Sequence, residues 1–135
     1  MGSKLLFYLV ILPVSKLPFW TLYLISDFLY LVLYKMIGYR TKVVRQNLTN
    51  SFPDKSEKEI LALEAKFYSH LCDLVVESLK AFSISLEEAK LRMKDRNIEV
   101  VNQYFKQKRQ VVLVGGHYGN WELFAITIGA TTDHK

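Results

Sequence analysis

The sequence predicts an α/β fold in which an N-terminal membrane helix precedes several helices and the first strand or strands of an incomplete α/β domain. Three observations support this fold class: apolar residues concentrate before residue 35, a long amphipathic helical pattern follows, and a short β-branched run comes near the end. We therefore expect a membrane anchor at residues 1–35 and the N-terminal part of a truncated domain at residues 36–135.

The first segment is apolar enough to enter a membrane. Residues 5–34 carry only two charged side chains, Lys16 and Asp27. Residues 17–34 are about long enough to span a hydrocarbon core of roughly 30 Å. Helical spacing groups the aromatic residues with Asp27, so we expect that stripe to face protein or headgroups and the aliphatic residues to face lipid. The stripe consists of Trp20, Tyr23, Asp27, Tyr30 and Tyr34; the lipid-facing set is Leu22, Leu24, Ile25, Leu29 and Val32.

Two other interpretations of this segment remain. A cleaved signal peptide is disfavoured because no small-residue cleavage site follows the first apolar run. A buried core hairpin is the second alternative. After the apolar segment the chain carries the basic residues Lys35, Arg40, Lys42 and Arg45, and the first acidic residue is Asp54. By the positive-inside rule this pattern predicts that this side of the anchor is cytoplasmic.

The middle of the chain predicts a long helix. Ser56 and Glu59 form a capping box, and apolar residues then recur at helical spacing to about residue 82. Ser85 predicts the start of a shorter helix that ends near Lys94. His70 and Cys72 have no partner at metal-ligand spacing, so we interpret them as packing or surface residues.

The net charge of +5 favours an anionic partner. Seven basic residues lie between residues 90 and 109, and two explanations stay open. One is a solvated face; the other is a surface for anionic lipid or an acidic carrier protein. Nucleic acid is disfavoured, because no recognition motif accompanies the charge.

The final segment carries the candidate chemistry. Val111–Val114 predicts a buried strand of the parallel-sheet type, followed by Gly115 and Gly116. Asn120 predicts a helix N-cap, with a helix from residue 121 to about 129. This order places His117 in the loop after the strand, where open α/β sheets bind ligands, and Glu122 in the first helical turn.

A histidine and a carboxylate in this arrangement suit general-base catalysis. Glu122 would orient His117, whose other ring nitrogen could accept a proton from a substrate hydroxyl. The glycines at 115, 116 and 119, together with backbone N–H groups near Asn120, could form an oxyanion loop. A structural histidine beside a glycine turn is the alternative on spacing alone. No zinc motif is present.

Residues 115–122, with the sequence Gly-Gly-His-Tyr-Gly-Asn-Trp-Glu, resemble the H-x4-D/E block of lysophospholipid acyltransferases. The block is similar to the bacterial late lipid A (lauroyl/myristoyl-type) acyltransferase branch. Similar upstream stretches are Tyr39-Arg40, residues 43–48, Phe52-Pro53 and residues 67–80.

This resemblance implies a glycerolipid-acyltransferase-like α/β domain at the cytoplasmic side of the bacterial inner membrane. It implies transfer of an acyl chain from acyl carrier protein to a hydroxyl of a lipid A precursor or related membrane lipid. His117 would be the general base and Glu122 its partner, with Gly115, Gly116, Gly119 and Asn120 around them. Neither a metal nor a bound cofactor is expected.

Members of that family are about twice as long as this chain of 135 residues. A strand at 110–114 would also need neighbouring strands to pair its backbone. We therefore expect a truncated chain that is inactive by itself. The alternative is a non-catalytic membrane-bound remnant that binds lipid or a partner protein. A small nucleic-acid-binding protein, suggested by charge alone, is the third hypothesis.

Overall fold

The computed structural model describes residues 2–94, 96–116 and 118–133, without the side chain of Ser3. Two compact units make up the chain: Leu17–Glu77, and Met1–Lys16 together with Ser78–Lys135. The α-helices in chain order are α1 (Gly2–Leu6), α2 (Leu12–Ser15), α3 (Phe19–Tyr30), α4 (Thr41–Ser51), α5 (Glu57–Lys80), α6 (Leu86–Arg92), α7 (Ile98–Lys106) and α8 (Trp121–Thr131). Two π-helical segments, Phe7–Ile11 and Leu31–Ile37, continue α1 and α3.

The predicted α/β fold class is wrong, because the described residues contain helices and no strand. The run Val111–Val114 lies in a non-helical connection, with Val112 85% and Val114 94% exposed. A buried strand needs a second strand to pair its N–H and C=O groups. Nothing in the described part of the chain supplies one, and the β-branched residues at 98–101 belong to the start of α7.

The unit Leu17–Glu77 is built on contacts between α3 and α5. The Tyr23 hydroxyl donates to Glu77 Oε1 at 2.8 Å, and the Ser26 hydroxyl donates to Asp73 Oδ1 at 2.7 Å. Beyond α3, the Tyr34 ring stacks on the ring of Tyr68, 4.7 Å between centroids. These contacts fix which face of α3 is covered by protein.

The predicted faces of α3 are therefore wrong at Leu22, which was expected to face lipid and is fully buried. Trp20, expected to face protein or headgroups, is 68% exposed and does not contact α5 extensively enough to be covered. The reason is that Tyr23 and Ser26 turn toward acidic side chains of α5 and carry Leu22 with them. By length and composition Phe19–Ile37 is apolar enough to cross a membrane. The proposed division at residue 35 stays a prediction.

The start of α5 confirms the predicted capping box. The Ser56 backbone N–H donates to Glu59 Oε2 at 2.9 Å, and the Glu59 N–H donates back to Ser56 Oγ at 3.4 Å. His70 is exposed and Cys72 is buried, as expected for surface and packing residues. The helix ends at Lys80, close to the predicted end at residue 82.

The unit formed by the two ends of the chain joins α2 to the residues after α5. The Ser83 hydroxyl donates to the Ser15 carbonyl at 2.6 Å, and the Phe7 and Phe82 rings meet edge to face. Ser85 caps α6 as predicted, since its Oγ accepts the Glu88 N–H at 3.1 Å. That helix ends at Arg92, two residues before its predicted end.

The end of α8 is held by the two helices that precede it. The carbonyl groups in the last turn of a helix receive no hydrogen bond from an N–H group of the same helix, so they need donors from elsewhere. Lys90 Nζ donates to the Ala130 carbonyl at 3.4 Å, and Asn102 Nδ2 donates to the Thr131 carbonyl at 3.3 Å. Asn102 also accepts the Asp133 N–H at 2.8 Å. These bonds anchor α8, whose other end carries the candidate site.

Candidate functional site

The candidate site is built on the N-terminus of α8. Asn120 Oδ1 accepts the backbone N–H of Leu123 at 2.9 Å, which confirms Asn120 as the N-cap. Before it, Gly119 has φ +69°, in the left-handed region that glycine occupies without steric cost. This turn and cap together set the residue at which α8 begins and hence the position of Glu122 in its first turn.

Glu122 borders a cavity of about 280 Å³. Its other lining residues are Ser78, Ala81, Phe82, Ala125 and Ile126. Among the described residues that line the cavity, Glu122 alone is charged. Glu122 therefore contributes to the wall of a mostly apolar hollow beside α8, while the residue as a whole remains exposed.

The loop before α8 leaves its backbone open. Gly115 and Gly116 are exposed, and no atom lies within 4 Å of the place where a Cβ would stand on either residue. The Tyr118 N–H donates to the Gly116 carbonyl at 2.9 Å, and this hydrogen bond holds Gly116 and Tyr118 close together. The predicted catalytic base, His117, lies outside the described residues, so its contact with Glu122 stays a prediction.

A second cavity, of about 360 Å³, lies on the opposite side of α8 and was missed by sequence reasoning. Its lining residues are Met93, Lys94, Arg96, Asn97, Ile98, Val101, Leu113, Val114, Gly115, Trp121, Phe124 and Ile128. The sequence contained an indication of this apolar groove, because Trp121, Phe124 and Ile128 share one face of α8 at helical spacing. Leu113 and Val114 line this groove and do not pair in a sheet.

Two of the predicted site residues line different cavities. Gly115 contributes to the groove, whereas Glu122 contributes to the smaller cavity. Lys94 and Arg96 bring two cationic side chains to the otherwise largely apolar groove. Within the described residues no group of three His, Cys, Asp or Glu side chains is placed to hold a metal ion. The arrangement suits a reaction that uses a carboxylate, an open backbone and apolar surface.

Comparison with known proteins gives one match. The family model described as bacterial lipid A biosynthesis acyltransferase matches residues 2–134, which is nearly the whole chain and includes the loop and α8. Neither the curated proteins nor the solved structures include a match to this chain.

Proposed function

The chain belongs to the bacterial lipid A biosynthesis acyltransferase family, and on that premise we propose that it moves a fatty acyl chain from acyl carrier protein to a hydroxyl of a lipid A precursor or related membrane lipid. The family implies a lipid A precursor and an acyl donor as substrates. The observation that carries the finer proposal is the start of α8, where Asn120 and Gly119 set Glu122 beside the loop that contains His117.

His117 acts as the general base in this proposal. Its imidazole takes the proton of the acceptor hydroxyl while the hydroxyl oxygen attacks the thioester carbonyl. The tetrahedral intermediate collapses as the C–S bond breaks, and the imidazolium returns the proton to the leaving thiolate. The products are an ester and the free thiol of the carrier. Glu122 positions the imidazole and stabilises its cationic form, in the way a carboxylate does in a catalytic triad.

The glycine loop supports the proposal because its backbone at Gly115 and Gly116 is open to an approaching substrate. The oxyanion of the intermediate needs N–H donors that can approach closely, and the open backbone at Gly115 and Gly116 permits this. Donors of this kind contribute about 10²–10³ in rate in other enzymes. Asn120 supports the loop by holding the helix start, because its side-chain Oδ1 accepts the Leu123 N–H. Its place in the oxyanion loop is part of the same proposal.

The groove beside Gly115 suits a long acyl chain joined to an anionic group. Its walls are mostly apolar, and each methylene moved from water against apolar wall contributes about 0.8 kcal/mol. Lys94 and Arg96 lie among the lining residues and complement a phosphate or an acidic carrier. A bacterial family and an apolar N-terminal helix support a location at the inner membrane, with the catalytic part on the cytoplasmic side.

The test is acylation in a bacterial strain that lacks its own late acyltransferase, read as the mass of lipid A. The proposed reaction requires a new acyl mass from the wild-type chain and from His70→Ala, because His70 is an exposed residue of α5. Such a mass would contradict the inactivity expected from the sequence. We expect none from His117→Ala. Acylation that survives His117→Ala would refute the general-base role. No acylation by any membrane-bound variant would favour the alternative of a non-catalytic remnant that binds lipid or a partner protein.

A further inference from the structure

The two faces of α3 differ in what covers them. One face meets α5, and the other exposes a stripe of large apolar side chains, Trp20, Leu24 and Phe28, which Leu31 of the following π-helical segment continues. We propose that α3 and α5 lie along the membrane surface, with the exposed stripe of α3 in the headgroup and upper acyl region of one leaflet, and that α3 does not cross the bilayer. This inference goes beyond the proposed reaction and does not depend on it.

The contacts between the two helices set their relative depth. Tyr23 meets Glu77 and Ser26 meets Asp73, so the helices run antiparallel side by side. The stacking of Tyr34 on Tyr68 continues the same register. From residue 23 to residue 34 a helix rises by about 16 Å, roughly half of a hydrocarbon core. If α3 crossed the bilayer, the paired part of α5 would lie at the same depth.

That part of α5 is not suited to hydrocarbon. It exposes Lys66 and His70, and its covered side carries Glu64, Asp73 and Glu77. By this register a spanning α3 would place His70, Asp73 and Glu77 inside the bilayer, with Glu64 and Lys66 about one turn further along α5. Charged side chains in that region are strongly disfavoured unless they are paired or face water.

Asp27 of α3 is a further argument against a helix that crosses the bilayer. It is exposed, near the middle of Phe19–Ile37, and lies beside the apolar stripe rather than on the face that meets α5. In a crossing helix this carboxylate would face lipid near the bilayer centre. In a helix that lies in the interface it can stand at the edge of the stripe, at the level of the headgroups.

The charges that follow α3 match an anionic lipid surface. From Asp27 to Asp54 the chain contains no other acidic residue, while Lys35, Arg40 and Lys42 are exposed. Cations at the end of an apolar stripe that begins with a tryptophan are typical of an amphipathic helix bound to anionic headgroups. The stripe therefore fits one leaflet of a bilayer with anionic lipids.

Cysteine labelling distinguishes the two arrangements in the full chain. Lys16→Cys and Lys42→Cys place exposed thiols before α3 and on α4, while buried Cys72 provides the low background. A membrane-impermeant maleimide is applied to inverted inner-membrane vesicles and to spheroplasts. We expect both variants to be labelled in the vesicles and neither in the spheroplasts. Labelling of Lys16→Cys from the spheroplast side alone would overturn the proposal.

A depth measurement checks the same proposal independently of sidedness. A nitroxide attached at Phe28→Cys is reconstituted in vesicles that contain phosphatidylglycerol, and its collisions with oxygen and with a water-soluble nickel chelate are compared. An interfacial α3 places the label at shallow depth, with strong nickel broadening. A label near the bilayer centre, with oxygen collisions alone, would show that α3 crosses. Neither measurement uses acylation, so failure here leaves the proposed reaction untouched.

Discussion

Arg45 and Glu64 form a two-pronged ion pair between α4 and α5, with Nε–Oε2 and Nη2–Oε1 distances of 2.8 and 3.1 Å. The side chain of Glu64 is fully buried, whereas 48% of the Arg45 side chain is exposed. The hydrogen bonds and charge of Glu64 raise the pKa of the Arg45 guanidinium. The pair connects two helices of the unit Leu17–Glu77.

Replacing Arg45 by alanine should lower the free energy of unfolding measurably. The loss leaves a buried carboxylate without its partner, but the exposure of Arg45 keeps the effect below that of a fully buried pair. Arg45→Lys should fall between wild type and alanine, because it keeps the charge and loses the planar fork. Denaturant unfolding in detergent measures this. Equal stability of all three chains would contradict it.

Asn120→Ala should destabilise α8 by about 1 kcal/mol, because the Leu123 N–H loses its capping acceptor. Acylation should fall as well, since the first turn that carries Glu122 frays. Asn120→Ser is the matched control: serine also caps helices and should preserve most of both properties. Thermal unfolding and lipid A mass spectra give the two values. A serine variant as impaired as alanine would argue against capping as the role of Asn120.

Two glycines of the same loop should respond differently to alanine. Gly119→Ala should cost about 1–2 kcal/mol of stability, because its φ of +69° is unfavourable for a residue with a Cβ. Gly115→Ala meets open space and should leave stability unchanged. If the backbone at Gly115 approaches the reacting carbonyl, acylation by Gly115→Ala should still fall at least tenfold. Full activity of that variant would remove Gly115 from the proposed oxyanion loop.

Stability should decline at alkaline pH through Cys72. Burial, and then the charge of Asp73, raise the pKa of this thiol above its ordinary value of 9.0. The folded state therefore holds the proton more tightly than the unfolded state. Its contribution to stability is complete below pH 9.0 and decreases as the pH rises toward the folded pKa.

Cys72→Ala removes this titration, so the midpoint of denaturation of the variant should depend less on pH between 8 and 10. The comparison is between slopes, because alanine also leaves a small cavity that lowers stability at every pH. Identical slopes for variant and wild type would show that Cys72 is not the responsible group.

Local signals in the sequence predicted local structure well. The three caps at Ser56, Ser85 and Asn120 are confirmed, because a cap needs only a side chain and an N–H group three residues away. The family inferred from the resemblance is confirmed by a family model that matches residues 2–134. The roles of His117 and Glu122 stay predictions, as do the truncation and inactivity of the chain.

Long-range relationships decided the rest. The apolar run Val111–Val114 satisfies the pattern of a buried strand, but a strand exists only with a partner from elsewhere in the chain. Its last two residues, Leu113 and Val114, instead line a groove beside α8. Likewise, the composition of α3 determined that it is apolar and helical, whereas its exposed face was decided by Asp73 and Glu77 of α5. Helical spacing groups residues on a face, and only tertiary contacts determine what that face meets.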